Sequence, residues 1–358
     1  MGRITNLRDL IGMIKDKASQ SKAALVSKPR TSSLHLALLR ATTHDSLTPP
    51  SQRHLAVFLS FGQGSRAIAS AAVEALMDRL QTTRDASVAV KCLIVVHNVV
   101  KHGSFILQDQ LSVYPSTGGR NYLKRSDFRD NTSPLTWELS SWVRWYALYL
   151  EHLLSSSRVL GFFLGSSSST VDKDKEEEKV SAFMNSDLLR DIDTLASLLE
   201  ETSKRPDSIH AQGNKLVEEI MVLVGEDYLS AINEISIRVN EFNHRENCLS
   251  FGDSVELVCA LKRLDDCRES LVELSQRKRA MIESFWGLIY EVRDKVGNEK
   301  VYRENKRILV KTGSREKGSE SARYGDRVVG YGESIRSMSG RSLSMKKLPF
   351  AVAESIGL

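Results

Sequence analysis

Residues 86–102 constrain the fold of this chain more than any other stretch. Val88, Val90, Leu93, Ile94, Val95, Val96 and Val99 place apolar side chains nearly all round a helix instead of along one stripe. Such a helix cannot lie on a surface, so it must be central and wrapped by others. Asp85 offers an N-cap oxygen, and His102-Gly103 a glycine stop. The rest of the chain supplies helices to do the wrapping. Ile4, Leu7, Leu10, Ile11 and Ile14 recur at helical spacing over 4–18. Ser32 or Ser33 can cap a helix through Leu34, Leu38 and Leu39, and another runs from Ser51 to about Phe61. After the Gly62–Ser65 break, Ser65 caps a helix through Leu80. A short helix over 104–112 and a long loop over 114–133 follow, with Asn121–Phe128 packing back on the core. Helix 134–154 carries Trp137, Trp142, Trp145, Tyr146 and Tyr149, which read as core. Three long helical patterns close the series: 181–203, 207–246 (broken near Gly225) and 253–296. No β alternation is present, so the expected class is all-α. The 358 residues, 41% of them hydrophobic, suffice for a large core.

Charge is unevenly spread. Residues 1–54 hold nine Lys/Arg against three Asp/Glu, and 300–358 hold thirteen against six, which leaves the middle net acidic. Positive ends suit an anionic surface, either membrane or nucleic acid. Ser166–Ser169 with Asp172–Lys179 reads as a flexible insert over 166–180, and 301–358 as a flexible basic Gly/Ser-rich tail. Cys92, Cys248, Cys259 and Cys267 lack metal or disulfide-frame spacing and read as reduced thiols. No run of about 18 apolar residues marks a membrane span. No nucleophile elbow, P-loop or dinucleotide fingerprint is found, which argues against an enzyme and against a cofactor. His97 reads as a core histidine, not a metal ligand, because no third ligand accompanies it and His102.

Residues 37–54 carry the functional signal. A helix ends in Arg40-Ala41-Thr42-Thr43-His44, a turn holds Pro49 and Pro50, and the next helix opens at Ser51 with Arg53 and His54 in its first turn. A helix start has open N–H groups that favour anions, and Arg and His⁺ donate charge-assisted hydrogen bonds to phosphate. Arg40, Arg53 and His54 are therefore the candidate phosphate-binding residues. His44 either joins them or caps its own helix, and Lys28 is a further candidate, with Lys15, Lys17 and Lys22 as helpers.

Arg40–His44 followed by Pro-x-x-x-Arg-His resembles the inositol-lipid site of the ANTH domain, the longer cousin of the epsin N-terminal domain found in clathrin assembly adaptors. Lys91–His97 is similar to that family's central helix, and Asn121-Tyr122-Leu123 to Phe128-Arg129-Asp130 resembles its Asn-x-Leu…Phe-Arg-Asp element. Ser141–Leu150 is the clearest match and is similar to the plant members. The resemblance covers about residues 1–300. It implies a superhelical, right-handed α-solenoid-like unit over 1–160, extended by long antiparallel helices over 181–298. It also implies binding to phosphatidylinositol bisphosphate membranes, clathrin and an R-type SNARE as partners, and a place on plasma-membrane coated pits and vesicles or the Golgi. The pattern departs from the family where Pro50, Ser51 and Gln52 stand in place of lysines, which implies weaker or altered lipid selectivity. Asp187-Leu188-Leu189 matches a clathrin-recruiting tripeptide, but its leucines are needed inside a helix. Two rivals stay open: a nucleic-acid-associated protein using the basic tail, and a helical scaffold with a degenerate lipid site.

Overall fold

The computed structural model describes residues 2–26, 29–115, 123–166, 173–207, 211–245, 248–272, 274 and 278–313. The chain divides into two units, Met1–Arg307 and Ile308–Leu358. The second is described only over 308–313, which are helical, and the tail beyond lies outside the described residues. Among the described residues there is no strand, and the protein is all-α.

The first helices are α1 (Gly2–Val26), α2 (Pro29–Ala41), α3 (Gln52–Ser60), α4 (Arg66–Thr82), α5 (Ala86–His102) and α6 (Phe105–Ser112). They are followed by α7 (Pro134–Leu160), α8 (Lys173–Ser181), α9 (Asn185–Ser203), α10 (Lys215–His244), α11 (Phe251–Asp266), α12 (Arg268–Val272) and α13 (Arg279–Gly313). The caps explain many of the boundaries. Ser51, Ser65 and Asp85 accept N–H groups from the first turns of α3, α4 and α5, and Ser133 closes a capping box with Thr136 at α7.

Helix α5 is the axis. It is buried from Ala86 to Lys101, with α4, α6, α7 and α10 packed around it. Its stop is not the left-handed glycine turn: Gly103 has an extended backbone at φ −64° and donates to the Val99 carbonyl. Helix α7 brings Trp142, Trp145, Tyr146 and Tyr149 into the core, but Trp137, in its first turn, is 52% exposed and does not belong there. Helices α9, α10 and α11 continue the stack, and Leu188 and Leu189 are buried within α9.

Three details differ from the sequence pattern. Helix α10 runs through Gly225 without a break: Leu223, Val224, Asp227 and Tyr228 on either side are buried, in a helix that packs against α9 and α5. The pattern over 253–296 splits into α11, α12 and α13, a turn back that no Gly or Pro announces. Within the polar stretch 166–180, residues from Lys173 are helical and Val180 is buried, because Lys and Glu disfavour a core but favour a helix. No described helix is long and apolar enough to cross a membrane.

A buried charge cluster locks the centre. Asp227 of α10 accepts hydrogen bonds from Tyr149 (2.7 Å) and Lys101 (3.1 Å) and sits 2.7 Å from His97 Nε2, while His97 Nδ1 meets Tyr146 Oη at 2.7 Å. His97 is thus the satisfied core histidine that its setting predicts. Burial pushes the Asp227 carboxyl up, but the charge and hydrogen bond of His97, then Lys101 and Tyr149, outweigh it and leave it below its ordinary value.

Candidate anion site at the α2–α3 connection

Several helix ends converge on one side of the first unit. Arg79, in the last turn of α4, donates to Thr42 at the exit of α2, through Nε to Oγ1 and through Nη2 to the carbonyl (2.6 Å). Lys91 of α5 donates to Thr43 Oγ1 at 2.9 Å. The Ala86 N–H donates to Asp130, which precedes α7, and Asn214, the N-cap of α10, donates to the Ser46 carbonyl at 3.1 Å. The connection 42–51 is therefore held from beneath by α4, α5 and the start of α10.

Arg40 and Arg53 stand at the two ends of that connection. Arg40 is in the last turn of α2 and Arg53 in the first turn of α3, both exposed and neither making an ion pair with a described residue. His54 is half-buried, and its N–H donates to Ser51 Oγ. The first intrahelical bond of α3 is Leu55 N–H to the Ser51 carbonyl, so the N–H groups of Gln52 and Arg53 precede the ladder. The two ends of the connection thus carry one exposed guanidinium each, and the start of α3 carries open N–H groups of the kind that favour an anion. Leu47, also on the connection, is 57% exposed.

His44 is engaged elsewhere. Its Nδ1 lies 2.6 Å from Asp16 Oδ1 of α1, and its N–H donates to Asp16 Oδ2 at 3.0 Å. Neither alternative from the sequence, head-group contact or cap of its own helix, describes this pair. Gly12 makes the approach possible, since a Cβ there would meet His44 Cβ at 3.0 Å. Burial raises the Asp16 carboxyl, yet the His44 hydrogen bonds and charge, with Arg79, hold it below its ordinary value. Lys28 lies outside the described residues, while Lys15, Lys17 and Lys22 are exposed on α1.

Lys91 is the residue the motif alone does not reveal as a support. It is 1% exposed, and burial lowers its ammonium to about 8 despite the opposing charges of Asp45, Asp16 and Asp85. The Phe128-Arg129-Asp130 element packs as its spacing suggests: Phe128 is buried, and the Asp130 carboxylate accepts from the Ala86 N–H and from the N–H and hydroxyl of Thr132 while its own N–H donates to Ser140. No described group of His, Cys, Asp and Glu has the arrangement of a metal site.

The ANTH domain family matches residues 33–239, more than half of the chain. The chain belongs to the ANTH domain family. It is 59% identical over 99% of both chains to an Arabidopsis thaliana protein named "Putative clathrin assembly protein At4g40080". Two further Arabidopsis thaliana proteins bearing the same descriptive name are 36% and 35% identical; this chain aligns over 82% and 78% of its length, covering 100% and 83% of theirs.

Proposed function

We propose that this protein is a peripheral membrane adaptor of clathrin assembly. In this reading it binds phosphatidylinositol bisphosphate through Arg40, Arg53 and His54. The observation that carries the reading is the pair of exposed arginines, without ion pairs to described residues, at the two ends of a connection fixed from below. Fixed geometry lowers the ordering needed on binding. His44 and Lys91 act as positioning residues that hold the connection. Each basic side chain near an anionic surface is worth about 1 kcal/mol, so binding is reversible and a coat of many copies supplies avidity. Its relatives' printed name supports clathrin assembly as the setting; the reading places the protein on the cytoplasmic side of coated pits and vesicles. Direct clathrin contact is weak or indirect, because the Asp187–Leu189 tripeptide has its leucines inside. An R-type SNARE is the cargo that the family resemblance implies. The role is binding and recruitment, with no catalytic step.

Flotation of the full chain with phosphatidylcholine vesicles, with and without phosphatidylinositol bisphosphate, tests this, alongside an RNA gel shift. Lipid-dependent flotation that weakens with added salt is expected. RNA binding without flotation would favour the basic tail and overturn the reading.

A further inference from the structure

A second cluster of cations surrounds a cleft of about 540 Å³ between the α4–α5 turn and the segment before α7. Its walls include Arg84, Lys124, Arg125 and Arg129, with Asp127 as the one acidic side chain and Phe128 at its base. Arg84 and Lys124 are exposed and make no hydrogen bond or ion pair with a described residue. Arg125 is fixed: its Nη atoms donate to the carbonyls of Gln81 (3.3 Å) and Thr83 (3.4 Å), and its guanidinium lies 5.0 Å from the Phe128 ring centroid. Arg129 and Arg144 donate to the same Phe128 carbonyl oxygen, at 2.8 and 2.9 Å.

Like charges gathered this closely repel one another. Burial, and then the charge of Arg129, hold the Arg144 guanidinium below its ordinary value. The fold nevertheless keeps the cluster, with Phe128 buried beneath it and Asp130 pinned to the start of α5. A small-molecule pocket of this size is usually mostly apolar with few polar groups; this one is ringed by guanidinium and ammonium groups. Planar guanidinium forks match phosphate oxygens in pairs. A phosphate monoester carries roughly −1.5 to −2 charges near neutral pH, so about two phosphates balance the surplus lining the cleft.

We propose that this cleft is a second anion site, taking a multiply phosphorylated inositol ring, whether as a lipid head group or as a free inositol phosphate. It shares no residue with the Arg40–Arg53 site and does not depend on it. The α4 and α5 ends beside the cleft are joined to the α2–α3 connection by Arg79 and Lys91.

Titration calorimetry of the full chain with soluble inositol trisphosphate tests the site, using R84E/K124E, R40E/R53E and the two combined. Arg84 and Lys124 are exposed, so their reversal leaves the fold intact, which circular dichroism checks. Trisphosphate uptake that persists in R40E/R53E and falls by about tenfold or more when R84E/K124E is added supports the cleft. R84K, which keeps the charge but loses the fork, should weaken uptake less than R84E does. If R84E/K124E also weakens flotation on vesicles containing phosphatidylinositol bisphosphate, the occupant is the membrane head group. If flotation is unchanged while trisphosphate uptake is lost, the occupant is the free inositol phosphate. Uptake by R84E/K124E equal to the parent's, in both backgrounds, overturns the proposal. So does binding of a phosphoserine peptide there with no binding of trisphosphate. If R40E/R53E changes nothing while R84E/K124E abolishes uptake, the first site is misassigned and this one stands.

Discussion

Lys91 holds Thr43 in place at an energetic cost that pH can reveal. Its folded value of about 8 lies below the 10.5 of the unfolded chain. Between these values the folded state loses its proton first, the unfolded state binds more protons, and stability rises with pH. Below about pH 8 both states are charged, and the buried ammonium costs the folded state about 3 kcal/mol. The stability difference between the parent and Lys91→Met should therefore move by about 3 kcal/mol in the parent's favour as pH rises from about 8 to about 10.5. Urea denaturation across that window measures it, and a constant difference would show that Lys91 is not held as described. Cys92 beside it is pushed by burial to about 12, so alkylation should require unfolding.

At the scale of elements, Gly225 gives a clear test. It sits in the middle of α10, and a Cβ there would lie 3.6 Å from the Leu274 carbonyl, an ordinary contact. Gly225→Ala should stabilise the protein by about 0.5–1 kcal/mol, the usual helix-interior difference. A loss in thermal or chemical denaturation would mean that Leu274 packs closer than this. The same glycine marks a limit of reading from sequence, where it looks like a break but tertiary packing carries the helix through. The bounds of α5 were legible because Asp85 and Gly103 punctuate them. The turns between α11 and α13 were not, since no Gly or Pro occurs from Ser254 to Trp286. Arg53 and His54 could be placed in a first helical turn from the Ser51 cap alone. The supports of the connection could not: Asp16, Lys91 and Asn214 act across 28, 48 and 168 residues of chain, which no local pattern encodes. Trp137 was misread because aromatic composition does not say which face of α7 turns inward.

Across the whole first unit, the residues that hold the fold are not those proposed to bind lipid. Asp227 joins α5, α7 and α10, and removing it takes the partner from His97 Nε2 and the Tyr149 hydroxyl and one carboxylate from Lys101, which keeps Glu226 at 2.9 Å. Asp227→Ala should cost about 3–5 kcal/mol, as breaking a buried pair does. Because its folded value is depressed, its contribution is full above the unfolded 3.8 and fades as pH falls through the folded value. Asp227→Asn should therefore flatten the acid limb of the stability curve, and an unchanged acid limb would place the acid sensitivity elsewhere. Arg40 and Arg53 are exposed, and reversing them should change stability by less than about 0.5 kcal/mol. The most direct measurement is vesicle co-sedimentation of the parent and R40E/R53E at fixed salt, on phosphatidylcholine with phosphatidylinositol bisphosphate, with helicity checked by circular dichroism. The account predicts that the variant keeps its helicity and loses affinity by about tenfold or more. A variant that sediments with these vesicles as tightly as the parent would contradict it.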